Sequence, residues 1–247
     1  MAHELDIGTD NTRSTMIDSK LFEAILKFDT CTIANAIEHF GIRMRNEGFT
    51  RPGLSCLTGS DQRILGYAAT FRVRSSEPPV VGGIFNDRSD WWCEIEQLPH
   101  PTIAVFQNLD PEIEAGSSVG NIHAAILKAF GCCGIITNGS VRDASGIREL
   151  GIPVYAASLT ISHAYNRIVD FGVPIEIFGL SVHQGDLLYA DCHGVLSIPI
   201  EIAAELPDVA ARILRKEKNI LDLCQSANFT SIKLLQAIQE NDQFQIE

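Results

Sequence analysis

The segment Gly120 to Pro153, GNIHAAILKAFGCCGIITNGSVRDASGIRELGIP, limits the fold more than any other, because it reads as one helix–strand–turn–helix unit. Ile122, Ala125, Ile126 and Ala129 recur at helical spacing, so a helix starts near Gly120. Gly131 ends it, and Cys133-Gly134-Ile135-Ile136-Thr137 is a short apolar run suited to a buried strand. Asn138-Gly139 is a turn dipeptide that tolerates positive φ. Arg142 and Asp143 follow it side by side, where open α/β sheets hold ligands beyond the carboxyl ends of their strands. A guanidinium suits a planar carboxylate through two parallel hydrogen bonds. Asp143 suits a hard divalent cation, magnesium or manganese, bound weakly through one carboxylate with water completing the shell. A plainer reading makes the pair a solvated helix start, with the aspartate at the positive end of the dipole.

The flanking pattern extends this unit into a single α/β domain over residues 17–247, with helices at both ends and a polar, frayed tail over residues 1–16. Ser19 to Phe28 and Thr30 to Phe40 read as helices, with Asp29 or Thr30 capping the second. ILGYAATFRV (Ile64–Val73) and PTIAVF (Pro101–Phe106) read as strands, and Asp90-Trp91-Trp92 lies on a helix between them. The tryptophans are assigned to core or subunit-interface packing. Pro153 to Ala156 is a further strand, and Pro174 to Pro199 is β-rich with turns at Gly179, Gly185 and Gly194. From Glu201 onward Ile202, Leu206, Val209, Ala210, Ile213 and Ile220 trace an amphipathic helical region, with a fresh start at Pro207. Arg212 to Lys218 reads as its solvated face.

Charge and composition exclude several classes. The formal net charge of −12 argues against direct nucleic-acid binding, which needs clustered Lys and Arg. No window approaches the roughly 18 apolar residues of a membrane span. MAHELDIGTDNTRST has neither the basic start nor the apolar stretch of a signal peptide. The seven cysteines are irregularly spaced without a CxxC, so neither a disulfide framework nor a zinc site is expected, and a reducing cytoplasm is the expected compartment.

Gly120 to Tyr155, continued by GDLLYADCHGVLSIP, resembles the RraA-like family, which includes the regulator of ribonuclease E activity A and the class II 4-hydroxy-4-methyl-2-oxoglutarate aldolases. The motifs that carry the resemblance are the helix-opening glycine, the NG turn, the RD pair, GIPV and GD…AD…GV. Weaker similarity runs through DTCTIANAI and ILGYAATFRV. The resemblance implies a swivelling β/β/α sandwich assembled as a homotrimer or a dimer of trimers. It implies a small 2-oxo acid as substrate, with Arg142 binding the pyruvyl carboxylate and stabilising the enolate, and Asp143 coordinating a divalent metal. Substrate contacts fall on the turn Gly120, Asn121, Ile122 and His123, with Asn121 at a catalytic position.

Two departures from that pattern matter. Catalytic members typically follow the helix-opening glycine with Asp or Glu, where this chain has Asn121. They also tend to place an acid three residues after the RD aspartate, where this chain has Gly146. Asparagine can orient a metal-bound water but cannot act as a base. His123 could do base work, although residues two apart on a regular helix face different ways, so it reaches the site only if the first turn is irregular. His163 and His193 are assigned hydrogen-bonded structural roles, and Asp186 and Asp191 turn roles. Three readings follow: a metal-assisted lyase (retro-aldol cleavage or oxaloacetate-type decarboxylation), a non-catalytic regulatory protein, and an enzyme on the same scaffold with a changed reaction.

Overall fold

The computed structural model describes residues 16–59, 62–79, 90–111 and 115–243. The predicted N-terminal tail, apart from Met16, lies outside them. Two helices come first, α1 (Ser19–Ile25) and α2 (Thr30–Glu38). Each starts where an aspartate caps it: Asp18 accepts from the Leu21 amide at 2.8 Å and Asp29 from the Thr32 amide at 2.7 Å. Strands β1 (Ser55–Cys56) and β2 (Ile64–Arg74), helix α3 (Asp90–Gln97), and strands β3 (Thr102–Asn108) and β4 (Ser117–Val119) follow. The unit read from the sequence resolves into α4 (Asn121–Ala129), β5 (Cys132–Thr137), β6 (Ser140–Val141) and α5 (Ala144–Leu150). Beyond it lie β7 (Val154–Ala156), β8 (Ser158–Leu159), β9 (Arg167–Phe171), β10 (Ile175–Ile177), β11 (Leu180–Val182), β12 (Leu187–Asp191) and β13 (Gly194–Ile198). A 3-10 turn (Ile200–Ile202), α6 (Leu206–Gln225) and α7 (Ser231–Gln243) complete the chain.

The main sheet has the order β1-β7-β5-β3-β2-β12-β13, with β9 also pairing β2. Its centre, β2-β3-β5-β7, is parallel. Alternate residues of these strands face opposite ways, and each face finds its own cover. Ala104, Phe106 and Ile135 pack with Trp91 of α3, Ala124 and Leu127 of α4 and Ile147 of α5. Ile103, Val105 and Ile136 pack with Ile175, Ile177, Leu180 and Val182 of the β10–β11 hairpin. The result is helix layer, central sheet and small second sheet, the β/β/α sandwich expected. Because both faces are covered, β2 is a near-continuous apolar run rather than an alternating one. At the β12–β13 end, Leu65, Tyr67, Leu187 and Tyr189 are covered by α1, α2 and α6.

β3, β5 and β7 are each followed in the chain by a short strand, β4, β6 and β8, and these three form a separate parallel sheet in the order β4-β6-β8. The Asn138-Gly139 turn departs from expectation: neither residue has positive φ. Gly139 is needed for close approach, because a Cβ there would sit 2.4 Å from Ser118 Oγ. Asn138 uses its carboxamide to clasp the end of β3, accepting from the Asn108 amide (2.6 Å) and donating to the Asn108 carbonyl (3.2 Å). Burial pushes the Cys132 and Cys133 thiols up to about 12, which suits their expected role as small apolar groups. No helix among the described residues is long and apolar enough to cross a membrane.

Candidate active site

Strand register brings the site together. β6 lies between the buried strand β5 and the Arg-Asp pair, and Val141 of β6 pairs with Val119 of β4. The next residue on each strand is Arg142 and Gly120, so positions 22 apart in sequence become neighbours, tied by the Arg142 amide donating to the Val119 carbonyl at 3.1 Å. Along an extended chain Arg142 and Asp143 would point to opposite sides. Asp143 instead adopts a left-handed conformation (φ 58°, ψ 34°) that turns its carboxylate back, placing Oδ2 3.3 Å from Arg142 Nε. The same oxygen accepts weakly, at 3.4 Å, from the Asn121 amide, the first of α4. Gly120 makes the approach possible, since a Cβ there would lie 3.0 Å from Asp143 Oδ2 and 3.3 Å from Arg142 Nε.

The plainer helix-start reading holds in part, since Asp143 is the N-cap residue of α5 and the pair is partly exposed. The Asp143 carboxylate makes no capping bond to α5; its backbone carbonyl starts that helix by accepting from Ile147 at 3.0 Å. The side chain is aimed at the other helix. Both members of the ion pair remain about one-third exposed (33% and 38%), so the pair adds little to stability.

A cavity of about 370 Å³ opens at this point. Gly120, Asn121, Arg142 and Asp143 form a polar end, and Ile122 and His123 continue the wall. All six residues singled out in the sequence therefore line one space. Trp91, Trp92, Phe106, Ile126, Leu127 and Ile168 form an apolar wall, and Ser117, Ser118, His163, Asn166 and Arg167 also border it. Ser118 Oγ and Asn166 Oδ1 are buried with no hydrogen-bond partner among the described residues. Arg167 donates to the Glu77 and Tyr165 carbonyls and has no carboxylate partner among the described residues. Sequence reasoning missed Ser118, Asn166 and Arg167, which no motif marks.

Comparison with known proteins settles the lineage. Residues 30–197 match the RraA-like family model, described as Aldolase/RraA. The chain belongs to the RraA-like family. It is similar to Protein DlpA of Legionella pneumophila, 24% identical over 204 residues that cover 81% of this chain and 31% of that protein. It is also similar to a Halalkalibacterium halodurans protein named "Putative 4-hydroxy-4-methyl-2-oxoglutarate aldolase", 30% identical over 81 residues (32% of this chain, 39% of that one). The chain thus spans about a third to a half of the length of the first curated relatives it matches. Among solved structures, Streptomyces coelicolor RraAS2, described as an unusual member of the RNase ES inhibitor RraA protein family, superposes with a TM-score of 0.64. It is 23% identical, covering 82% of this chain and 96% of that one, which establishes the shared fold.

Within this RraA-like frame the two departures meet. A Cβ on Gly146 would lie 3.3 Å from both Cβ and Nδ2 of Asn121. The two positions are therefore one contact between the first turns of α4 and α5, and among the described residues Asp143 is the carboxylate that lines the cavity. For a hard cation that leaves the Asp143 carboxylate as donor, with Asn121, whose backbone amide is 3.4 Å from it, bordering the same space. This set fits a magnesium-type ion that keeps most of its water.

His123 corrects the expectation from helix geometry. α4 is helical from Asn121, yet His123 lines the cavity, because the cavity runs along the helix as well as over its tip. His123, Ile126 and Leu127 share the i, i+3, i+4 face, while Asn121 reaches the space from the terminus. Burial, and secondarily the Arg142 charge, lower the His123 pKa from 6.5 and hold the imidazole neutral. As pH falls, the unfolded chain binds the proton first, so stability drops below about pH 6.5 until the folded group also titrates. His123→Asn is expected to flatten the fall in melting temperature between about pH 7 and 5, read by thermal denaturation. An unchanged slope would contradict this environment.

The other candidates lie elsewhere. The Asp186 carboxylate accepts from the His183 amide at 2.8 Å beside Gly185, in keeping with a turn role. His163 lines the cavity with its Nδ1 2.7 Å from the Ala164 carbonyl. Asp191 and His193 are hydrogen-bonded in the β12–β13 turn, as their structural assignment expects, and with Cys192 they bring ligand atoms within 4.8 Å of one another. This cluster could chelate a metal but is incomplete. Asp191 already accepts from the Thr30 amide (2.8 Å), Thr30 Oγ1 (2.7 Å) and the His193 amide (2.9 Å), and faces His193 Nδ1 at 3.0 Å. Those bonds hold its pKa below the usual carboxylate range against the opposing effect of burial. Asp191 thus ties the hairpin to the start of α2, and none of the three lines the cavity.

Proposed function

We propose that this RraA-like protein is a divalent-metal-assisted lyase acting on a 2-oxo acid, by retro-aldol cleavage or oxaloacetate-type decarboxylation. One observation carries the reading: a guanidinium and a carboxylate are turned to the same side by a left-handed step and set against the first amides of α4, at the polar end of a cavity. Arg142 grips the substrate carboxylate, and its charge stabilises the enolate that carbon–carbon cleavage leaves behind. Asp143, with the Asn121 side chain, would hold the cation, which would supply Lewis acidity. The α4 N-terminus favours the same negative charge. Asn121 orients water without taking a proton, and the neutral imidazole of His123 is a group in the wall able to accept one. The names of the H. halodurans relative and of the family model support a lyase. The same lineage supports a homotrimer or hexamer.

A second reading, a regulatory protein that binds a partner without turnover, is favoured by the joint loss of both acids at the Asn121–Gly146 contact. Metal dependence separates the two. Magnesium or manganese is expected to raise the melting temperature by mass action on the native state, and Asp143→Asn is expected to abolish that rise. Equal shifts in the wild type and the variant would sink the site assignment.

A further inference from the structure

The cavity is much larger than its polar end requires. Its volume of about 370 Å³ falls in the range of roughly 300–1,000 Å³ typical of pockets for sizeable ligands. A pyruvyl group held by Arg142 and Asp143 fills only the end formed by Gly120 and Asn121. The space beyond is walled by Trp91 and Trp92 of α3, Phe106 of β3, Ile126 of α4 and Ile168 of β9. Rigid elements fix these groups. Trp91 is 6% exposed and meets Phe71 edge-on at 5.6 Å, and Trp92 stacks on Phe130 at 6.2 Å and 23°.

Resting on the lyase reading of the same site, we infer that the preferred substrates are 2-oxo acids whose remaining part is a bulky apolar, aromatic-sized group. A second carboxylate in this part of the cavity would be desolvated against indole and aliphatic carbon, at a cost only a dedicated cation could offset. Arg167 also borders this space without a carboxylate partner among the described residues, but its Nη1 is held by the Glu77 and Tyr165 carbonyls, so 2-oxoglutarate is the direct competitor in the test. An aromatic ring meets no such cost, and it gains burial and edge or face contacts with the indoles.

Calorimetric titration of the magnesium-loaded protein with pyruvate, 2-oxoglutarate and phenylpyruvate tests this. Phenylpyruvate is expected to bind about tenfold or more tighter than pyruvate, the scale on which apolar pockets discriminate. Ile126→Trp, which fills the cleft, should reduce that advantage to about twofold. Trp92→Ala, a milder surface change, should also shrink it and guards against misfolding of the first variant. Pyruvate binding that depends on Arg142, with no phenylpyruvate advantage or with 2-oxoglutarate binding tightest, overturns the inference and leaves the lyase reading standing. No binding of any probe, or binding indifferent to Arg142→Ala, overturns both.

Discussion

Arg142→Ala is expected to lower the rate of oxaloacetate decarboxylation by about 10²- to 10³-fold, the usual cost of losing one preorganised donor at a developing oxyanion. The fold should survive the change. The Arg142 side chain is one-third exposed and its ion-pair partner among the described residues, Asp143, is exposed too, so its removal strands no buried charge there. The Arg142 amide still donates to Val119, which keeps β6 in register with β4. Steady-state turnover alongside a thermal melt separates the two effects. A large loss of rate with little change in melting temperature is the expected pattern. Unchanged turnover would remove Arg142 from the chemistry.

Asn121→Asp should act in the opposite direction, raising decarboxylation by on the order of 10²-fold if general acid–base catalysis is the missing contribution. The substitution is isosteric, and the point a Cβ on residue 146 would occupy, 3.3 Å from Asn121 Nδ2, is left open by Gly146. The new carboxylate would border the same cavity as Asp143 and Arg142, so the added charge should draw a cation more strongly. The gain should vanish in the Arg142→Ala background, because the substrate loses its anchor. A wild type that is already active and is silenced by Asn121→Asp would make asparagine an adaptation to a changed reaction. Failure of both forms to turn over any 2-oxo acid with metal present would favour the regulatory reading.

Much of this was legible in the chain because it depends on local pattern. The helix from Gly120, the strand through Ile135 and Ile136, and the glycine-punctuated β-rich stretch follow from periodicity and turn residues, and the motif order identifies the family. The gathering of Gly120 through His123 with Arg142 and Asp143 could be anticipated only from the resemblance. Its cause is the register of two short parallel strands, β4 and β6, which have almost no periodicity of their own. The contact between Asn121 and Gly146 is likewise a tertiary fact that spacing does not reveal. Ser118, Asn166 and Arg167 reach the cavity from segments that carry no recognisable motif. The Asn138-Gly139 turn is where the dipeptide predicts it, but its glycine serves steric clearance for Ser118, and the positive φ angles of the unit fall instead at Gly131, Gly151 and, alone among the non-glycines, Asp143.

The meeting of positions 121 and 146 bears on how such a protein can change over generations. The frame of the site is set by backbone: a glycine that clears space, a left-handed aspartate and the ends of two paired strands. The side chains at 121 and 146 sit on that frame without building it. Asparagine and aspartate differ by a single base, as do glycine and aspartate, so either acid is one mutation from loss or return. A lineage can therefore lay down its acids and recover them while the architecture around Arg142 and Asp143 stays in place.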